Sequence, residues 1–329
     1  MIRLYNPLPV TLRHYEDEFR SVLEQAGICH EVVHEEADQR TSKFDKARRA
    51  MRIIIGRWSA QPNEQVSATI VLWPLFGYFD ILTWVRLSAR RPVAIIVHDP
   101  TPLRPQIGMG RPGIAALRLA SKFLNVRFVS HTELAANALE RATGMKSIIA
   151  RHPIAVPVVA LRSGTDRQPV RVLGQYKTAR DLSVLEALAQ DGTCNNEVLE
   201  IHGRGWPIVR GWTVRDEFVP EEDFTRLITS SSCIVIPYAH FYQSGIAVRA
   251  LENSVPVVGP RHEHLETLYG RDWPGLVDDN NTWSMAMRAV VEHENDTLPG
   301  RAAKYRAEAC VDWGNLAELL VSDWRGDDG

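Results

Sequence analysis

Along the chain, short apolar runs alternate with longer stretches in which apolar residues recur every three to four positions, the pattern of parallel strands covered by helices. In the first half the runs Ile53–Ile55, Thr69–Trp73, Val93–Val97, Val126–Val129 and Ser147–Ala150 predict strands, with helices at about 80–90, 113–124 and 132–143. The polar, turn-rich segment LRSGTDRQP at 161–169 interrupts the alternation and reads as a linker. Beyond it the pattern restarts. Strands are expected at Val170–Leu173, Val198–His202, Cys233–Ile236 and Pro256–Val258, and helices near 181–190, 221–230, 245–253, 263–269 and 282–293. This predicts an α/β protein of two Rossmann-like, doubly wound domains, 1–163 and 164–300, facing a central cleft at the carboxyl ends of their strands. In the tail, 301–329, the amphipathic stretches Gly300–Cys310 and Gly314–Trp324 predict two helices joined at Val311–Trp313 and packed back toward the first domain.

Composition narrows the function classes. The 329 residues are 45% hydrophobic and 24% charged, an ordinary globular balance with enough apolar material for two cores. With 38 Lys+Arg against 40 Asp+Glu the net charge is -2, so any attraction for a polyanion has to come from a local basic face. The longest apolar runs, AIIV at 94–97 and CIVIP at 233–237, fall far short of the roughly 20 residues that span a bilayer. The N-terminal stretch carries prolines and acids where a secretory signal has its apolar region. Cys29, Cys194, Cys233 and Cys310 are widely spaced with no C-x-x-C pair, which indicates neither a zinc site nor a disulfide framework and fits a cytoplasmic setting. One basic stretch stands out at 43–58, with Lys43, Lys46, Arg48, Arg49, Arg52 and Arg57. It reads either as a solvated helix face leading into a strand or as a patch for a polyanion: anionic lipid at the inner face of the membrane, or nucleic acid.

The segment richest in chemistry is IVIPYAHFYQSGIAVRALENSVPVVG, 234–259. A buried strand ends at Pro237, and Ser244–Gly245 opens a helix in which Ser244 is suited to the N-cap. Glycine in the first turn lets a ligand approach the backbone, and free N–H groups with the helix dipole favour an anionic group such as a diphosphate. The plain alternative is a helix packed on a sheet with one surface glutamate, Glu252.

These residues resemble the nucleotide-sugar site of GT-B glycosyltransferases, in particular the large retaining family 4, whose pattern runs P-S/Y…E-G-F-G-x-x-x-L-E-A…G-x-P-V-V. Pro237, Tyr238, Gly245, Ala250, Leu251, Glu252, Pro256, Val257 and Val258 fall at matching places. The resemblance implies that Glu252 accepts hydrogen bonds from ribose hydroxyls and that the amides of Gly245, Ile246 and Ala247 face the donor diphosphate or sugar. It departs at Ser244, where the family has the first glutamate of its pair, which leaves the donor sugar and the retaining outcome open.

Two further segments carry the same resemblance. In VLGQYKTARDLSVLEAL, 172–188, Gly174 ends a strand, Arg180 takes the place of the family's diphosphate-gripping lysine, and Gln175 stands where the family has arginine, with Lys177 as a substitute cation. LEIHGRGWP, 199–207, resembles the family's strand-turn around Gly203, and Val214–Val219 is implied to lie near the nucleobase. In the first domain RPVAIIVHDPTP, 91–102, ends a strand in His98–Asp99; a buried histidine there is either a satisfied core residue or, as the resemblance implies, a contact for a sugar hydroxyl. The expectation is a sugar transfer from a nucleotide-diphosphate sugar, UDP- ahead of GDP-sugar, to an acceptor hydroxyl on a glycan, lipid carrier, small molecule or modified nucleic acid. No D-x-D motif occurs, so no metal is expected, and retention is the outcome the family implies. An inverting enzyme with His98 or Asp99 as base, and a non-catalytic protein on the same scaffold, stay as alternatives.

Overall fold

The computed structural model describes residues 1–35, 43–59, 63–102, 106–157, 168–191, 198–279, 282–292 and 297–325. The chain divides into two compact units, Met1–Pro153 with Glu308–Gly329, and Ile154–Ala307. The linker read at 161–169 and the expected junction at 163/164 fall mostly or wholly outside the described residues.

Unit 1 is built on a six-stranded parallel sheet, β1 (Ile2–Asn6), β2 (His30–His34), β3 (Ala68–Val71), β4 (Val93–Ile96), β5 (Val126–Ser130) and β6 (Ser147–Ile149), in the order β2-β1-β3-β4-β5-β6. Its helices are α1 (Arg13–Gln25), α2 (Lys43–Ser59), the single turns α3 (Asp80–Thr83) and α4 (Val85–Ser88), α5 (Arg111–Ala120) and α6 (Glu133–Thr143). Alternate residues of β1 face opposite ways, as the strand period requires. Ile2 and Leu4 pack with Phe19, Leu23 and Trp313, while Tyr5 packs with Tyr78, Ile81 and Trp84.

Unit 2 repeats the architecture. Strands β7 (Val170–Leu173), β8 (Leu199–His202), β9 (Thr213–Arg215), β10 (Cys233–Val235), β11 (Val257–Pro260) and β12 (Leu276–Val277) form a parallel sheet ordered β12-β11-β10-β7-β8-β9. The helices are α7 (Leu182–Gln190), α8 (Glu221–Thr229), α9 (Gly245–Glu252), α10 (Glu263–Tyr269) and α11 (Trp283–Glu292). The strand order reverses at β7, which has β8 on one side and β10 on the other. In an open α/β sheet that reversal leaves a crevice at the carboxyl ends, where ligands bind.

Three expectations are corrected. Ile53–Ile55 is not a strand but the middle of α2, where only Ile53 of the three is buried. The tail holds not two helices but one, α12 (Leu298–Arg325), which begins in unit 2 and from Glu308 onward belongs to unit 1. Trp313, Leu316, Ala317 and Leu320, at helical spacing, sit in the unit 1 core, and the Trp313 indole N–H donates to the Arg151 carbonyl at 2.9 Å. Third, Arg57 leaves the basic stretch and points inward. Its guanidinium donates to the Tyr5 hydroxyl at 3.1 Å, Asp80 at 2.8 Å and Thr83 at 2.6 Å, and lies over the Trp84 ring at 4.5 Å. Burial pushes the Asp80 carboxyl up, against the pull of Arg57. Among the described residues no helix is long and apolar enough to cross a membrane.

Candidate functional site

The carboxyl ends of β7 and β10 bring most of the sequence-selected residues of unit 2 together. Gly174 closes β7 at φ +91°, and a methyl group added there would meet the side chains of Ile246 at 3.0 Å and Arg180 at 3.2 Å. Gly203 closes β8 with its Cα against the Gly174 carbonyl: an added Cβ would lie 2.2 Å from that oxygen. Two strand ends therefore approach backbone to backbone, which only glycine permits at φ +152°. Beside them opens a cavity of about 300 Å³ lined by Gly174, Gln175, Gly203, Arg204, Phe218, Val219 and Phe224. Phe218 and Val219 also border a larger cavity of about 700 Å³ under α8.

Arg180 is buried, bridged to Tyr238 through the backbone and through its own Nε–H, which donates to the Tyr238 hydroxyl at 3.1 Å. Nη2 donates to the Leu173 carbonyl at 2.8 Å, and the guanidinium plane lies 4.8 Å from the ring centres of both Trp206 and Tyr238. Burial lowers its pKa, with Tyr238 opposing. Nη1 makes no hydrogen bond among the described residues. The arrangement fixes a cation at the mouth of a strand crevice with one donor edge uncommitted. Lys177 is half-buried in the same loop, and its carbonyl accepts the Arg180 N–H at 2.9 Å.

Helix α9 starts at the same end of the sheet. The Ser244 hydroxyl caps it, accepting from the Ala247 N–H at 3.3 Å; Gly245 is exposed, with nothing within 4 Å of where a Cβ would stand. Ile246 is half-buried and Ala247 is buried. Glu252 lies buried at the far end of α9, where its carboxylate accepts the Ala155 N–H at 2.7 Å and helps to raise the pKa of buried Tyr269, second to burial itself.

Sequence reasoning missed two supports. Trp206 in the 199–207 segment donates its indole N–H to the Gly174 carbonyl at 2.8 Å, and its ring carries Arg180. The available signal was an aromatic residue directly after a Gly-x-Gly turn. His262 stacks on Phe241 at 3.9 Å, donates from Nε2 to the Phe241 carbonyl at 2.8 Å and accepts the His264 N–H at Nδ1, so one neutral tautomer clamps the loop before α9 to the start of α10. Burial holds its pKa below the ordinary value.

His98 belongs to unit 1 and is buried just past β4. Nε2 donates to the Leu72 carbonyl at 2.9 Å, which makes Nδ1 the accepting nitrogen of the neutral ring. The imidazole stacks on Trp73 at 4.8 Å and meets Tyr15 and His131 edge-on at 5.0 and 5.2 Å. His131 donates from Nδ1 to the Ala150 carbonyl and so receives the Tyr15 hydroxyl proton at Nε2, 2.8 Å away. Burial lowers the His98 pKa from 6.5 to about 4, with the Leu72 bond opposing. The unfolded chain therefore binds a proton that the native chain refuses between these values. The stability this histidine confers is complete above the unfolded pKa and falls as pH drops toward 4, by up to about 3 kcal/mol. Melting midpoints taken across that window should slope steeply in the wild type and less in His98→Phe; equal slopes would refute the assignment. Asp99 follows, half-buried.

This architecture is similar to that of solved structures. The chain superimposes on sucrose-phosphate synthase from Thermosynechococcus elongatus with a TM-score of 0.66 at 11% identity, covering 98% of this chain and 99% of that one. It superimposes on the Anabaena protein HepE in complex with UDP with a TM-score of 0.61 at 11% identity, covering 98% and 99%. The fold is GT-B. A T4 phage BGT mutant in complex with UDP-glucose is similar as well, with a TM-score of 0.58 at 10% identity over 97% and 99% of the two chains. No protein-family model matches the sequence, and no curated protein matches it.

Proposed function

We propose that this GT-B chain is a glycosyltransferase that moves a sugar from a nucleotide-diphosphate sugar, UDP-sugar ahead of GDP-sugar, to an acceptor hydroxyl. The observation that carries the reading is the group at the β7–β10 switch point of unit 2: a cation with an uncommitted donor edge, an open glycine at a helix N-terminus, and a cavity with two phenylalanines in its lining. Likeness in fold to a sucrose-phosphate synthase, and to proteins solved with UDP and UDP-glucose, supports it.

In this reading the base enters beside Phe218 and Phe224, Glu252 receives the ribose hydroxyls, and the diphosphate meets Arg180, Lys177 and the α9 amides. Charge grows on the leaving diphosphate as the glycosidic bond breaks, and fixed cations and N–H groups stabilise it without a metal ion. His98, buried and neutral beside Trp73 and Tyr15, is the residue this reading assigns to a sugar hydroxyl. A pKa of about 4 makes it a weak base near neutrality, which favours retention, where the leaving phosphate helps take the acceptor proton, over inversion through His98.

A thermal-shift panel of UDP- and GDP-sugars, followed by product analysis, tests the proposal. A saturating donor should raise the midpoint by about 5 °C and be consumed, and a retained anomeric configuration is expected. A panel with no shift and no sugar release sinks the enzyme reading in favour of a non-catalytic one.

A further inference from the structure

The stretch at 43–58 is basic in sequence, but the outward side of α2 also carries an apolar stripe. Met51, Ile55 and Trp58 are 59%, 55% and 46% exposed. Spacings of four and three residues stack them in one stripe along the helix. Ile53 and Arg57 occupy the opposite, buried side. The stripe runs on to α3 and α4. The Trp58 indole N–H donates to the Leu82 carbonyl at 3.2 Å and Arg86 donates to the Trp58 carbonyl at 2.8 Å, while Leu82 and Val85 are each 37% exposed. Single exposed apolar residues are ordinary, whereas several gathered on neighbouring elements are the mark of a docking face.

Charge identifies the occupant. Arg48 and Arg52 are exposed along one border of the stripe, and Arg86 and Arg90 are exposed on α4 and just beyond it. A second copy of the chain docked on the same face would pair two surfaces that both carry these arginines. A nucleic-acid backbone would satisfy the arginines and leave Met51, Ile55 and Trp58 without an apolar partner. An anionic bilayer satisfies both, with acyl chains for the stripe and phosphates for its border. We propose that this face of unit 1 docks on anionic lipid, with Met51, Ile55 and Trp58 entering the boundary between headgroups and chains. Arg57, part of the same sequence cluster, takes no part. The inference does not rest on the glycosyltransferase reading.

The test is co-sedimentation of the full chain with vesicles of phosphatidylcholine alone and of phosphatidylcholine with phosphatidylglycerol in equal parts, at low and high salt. The chain should pellet only with the anionic vesicles, and less at high salt. The pairs Met51→Ser with Ile55→Ser, and Arg48→Glu with Arg90→Glu, should each weaken binding about tenfold, with melting midpoints unchanged. If the first pair melts early, Leu82→Ser with Val85→Ser repeats the apolar test on other elements. No pelleting, or equal pelleting with neutral vesicles, overturns the proposal. So does a loss confined to the arginine pair, which would mean adsorption without insertion. Self-association in sedimentation velocity that the apolar pair abolishes would assign the face to a second copy instead.

Discussion

Alanine at both Arg180 and Lys177 is expected to lower turnover by about a thousandfold or more, because removing even one preorganised donor from a developing anion costs a hundredfold to a thousandfold. The effect follows from how Arg180 is held. Nε and Nη2 are committed to Tyr238 and Leu173, and the guanidinium lies 4.8 Å from the Trp206 and Tyr238 ring centres, so in the proposed reading Nη1 meets the leaving group already oriented. The same packing gives Arg180→Ala a structural penalty of about 1–3 kcal/mol, since the Leu173 carbonyl loses its donor inside the protein. Two single variants separate the effects. Lys177→Ala removes a half-buried cation with little structural consequence and should lower turnover alone. Arg180→Lys keeps the charge but loses the planar fork, and should fall further in turnover than in melting midpoint. Undiminished turnover in the double alanine variant, with the fold intact, would place the diphosphate elsewhere.

The residues at this crevice were legible because their signals are local. A strand that ends in glycine, and a serine–glycine pair that opens a helix, announce themselves within a few positions. Helix α10 was read at the bounds it has, Glu263–Tyr269. The N-terminal strand β1 and the flanking α1 and β2 were not anticipated: IRLYN mixes polar and apolar residues, and β2 is only half-buried, so neither stands out as a run. Ile53–Ile55 differs from its sequence signal for another reason. Three consecutive β-branched residues favour a strand locally, and the helix reading requires Arg57 on the buried face. Arg57 belongs there only because Asp80, 23 residues away, lies opposite it. In the tail the expected junction at Val311–Trp313, just before Gly314, is helical as well, and Trp313 is buried there. A glycine within a helix costs about 1 kcal/mol, less than the burial of Trp313, Leu316 and Leu320 that holds α12 continuous. Tertiary partners overrode local preference in both places.

Gly203→Ala should destabilise unit 2 by about 3 kcal/mol, lowering its midpoint by about 5–10 °C. The new Cβ would stand 2.2 Å from the Gly174 oxygen and 2.5 Å from its carbon, both backbone atoms, at a φ of +152° that strains any side chain. Relief comes only if the ends of β7 and β8 separate. That movement would also disturb the Trp206 indole bond to the Gly174 carbonyl, and with it the ring under Arg180. Donor binding should therefore fall together with stability. Gly245→Ala supplies the contrast. Nothing lies within 4 Å of its Cβ position and its φ is not in the left-handed region, so the melting midpoint should hold. If the space in front of α9 belongs to the donor, the added methyl group meets the ligand, and nucleotide affinity should drop in a protein that melts normally. Calorimetric titration of UDP into both variants, beside their melting curves, decides the matter. A Gly245→Ala protein that melts and binds like the wild type would mean that the amides of α9 do not face the diphosphate.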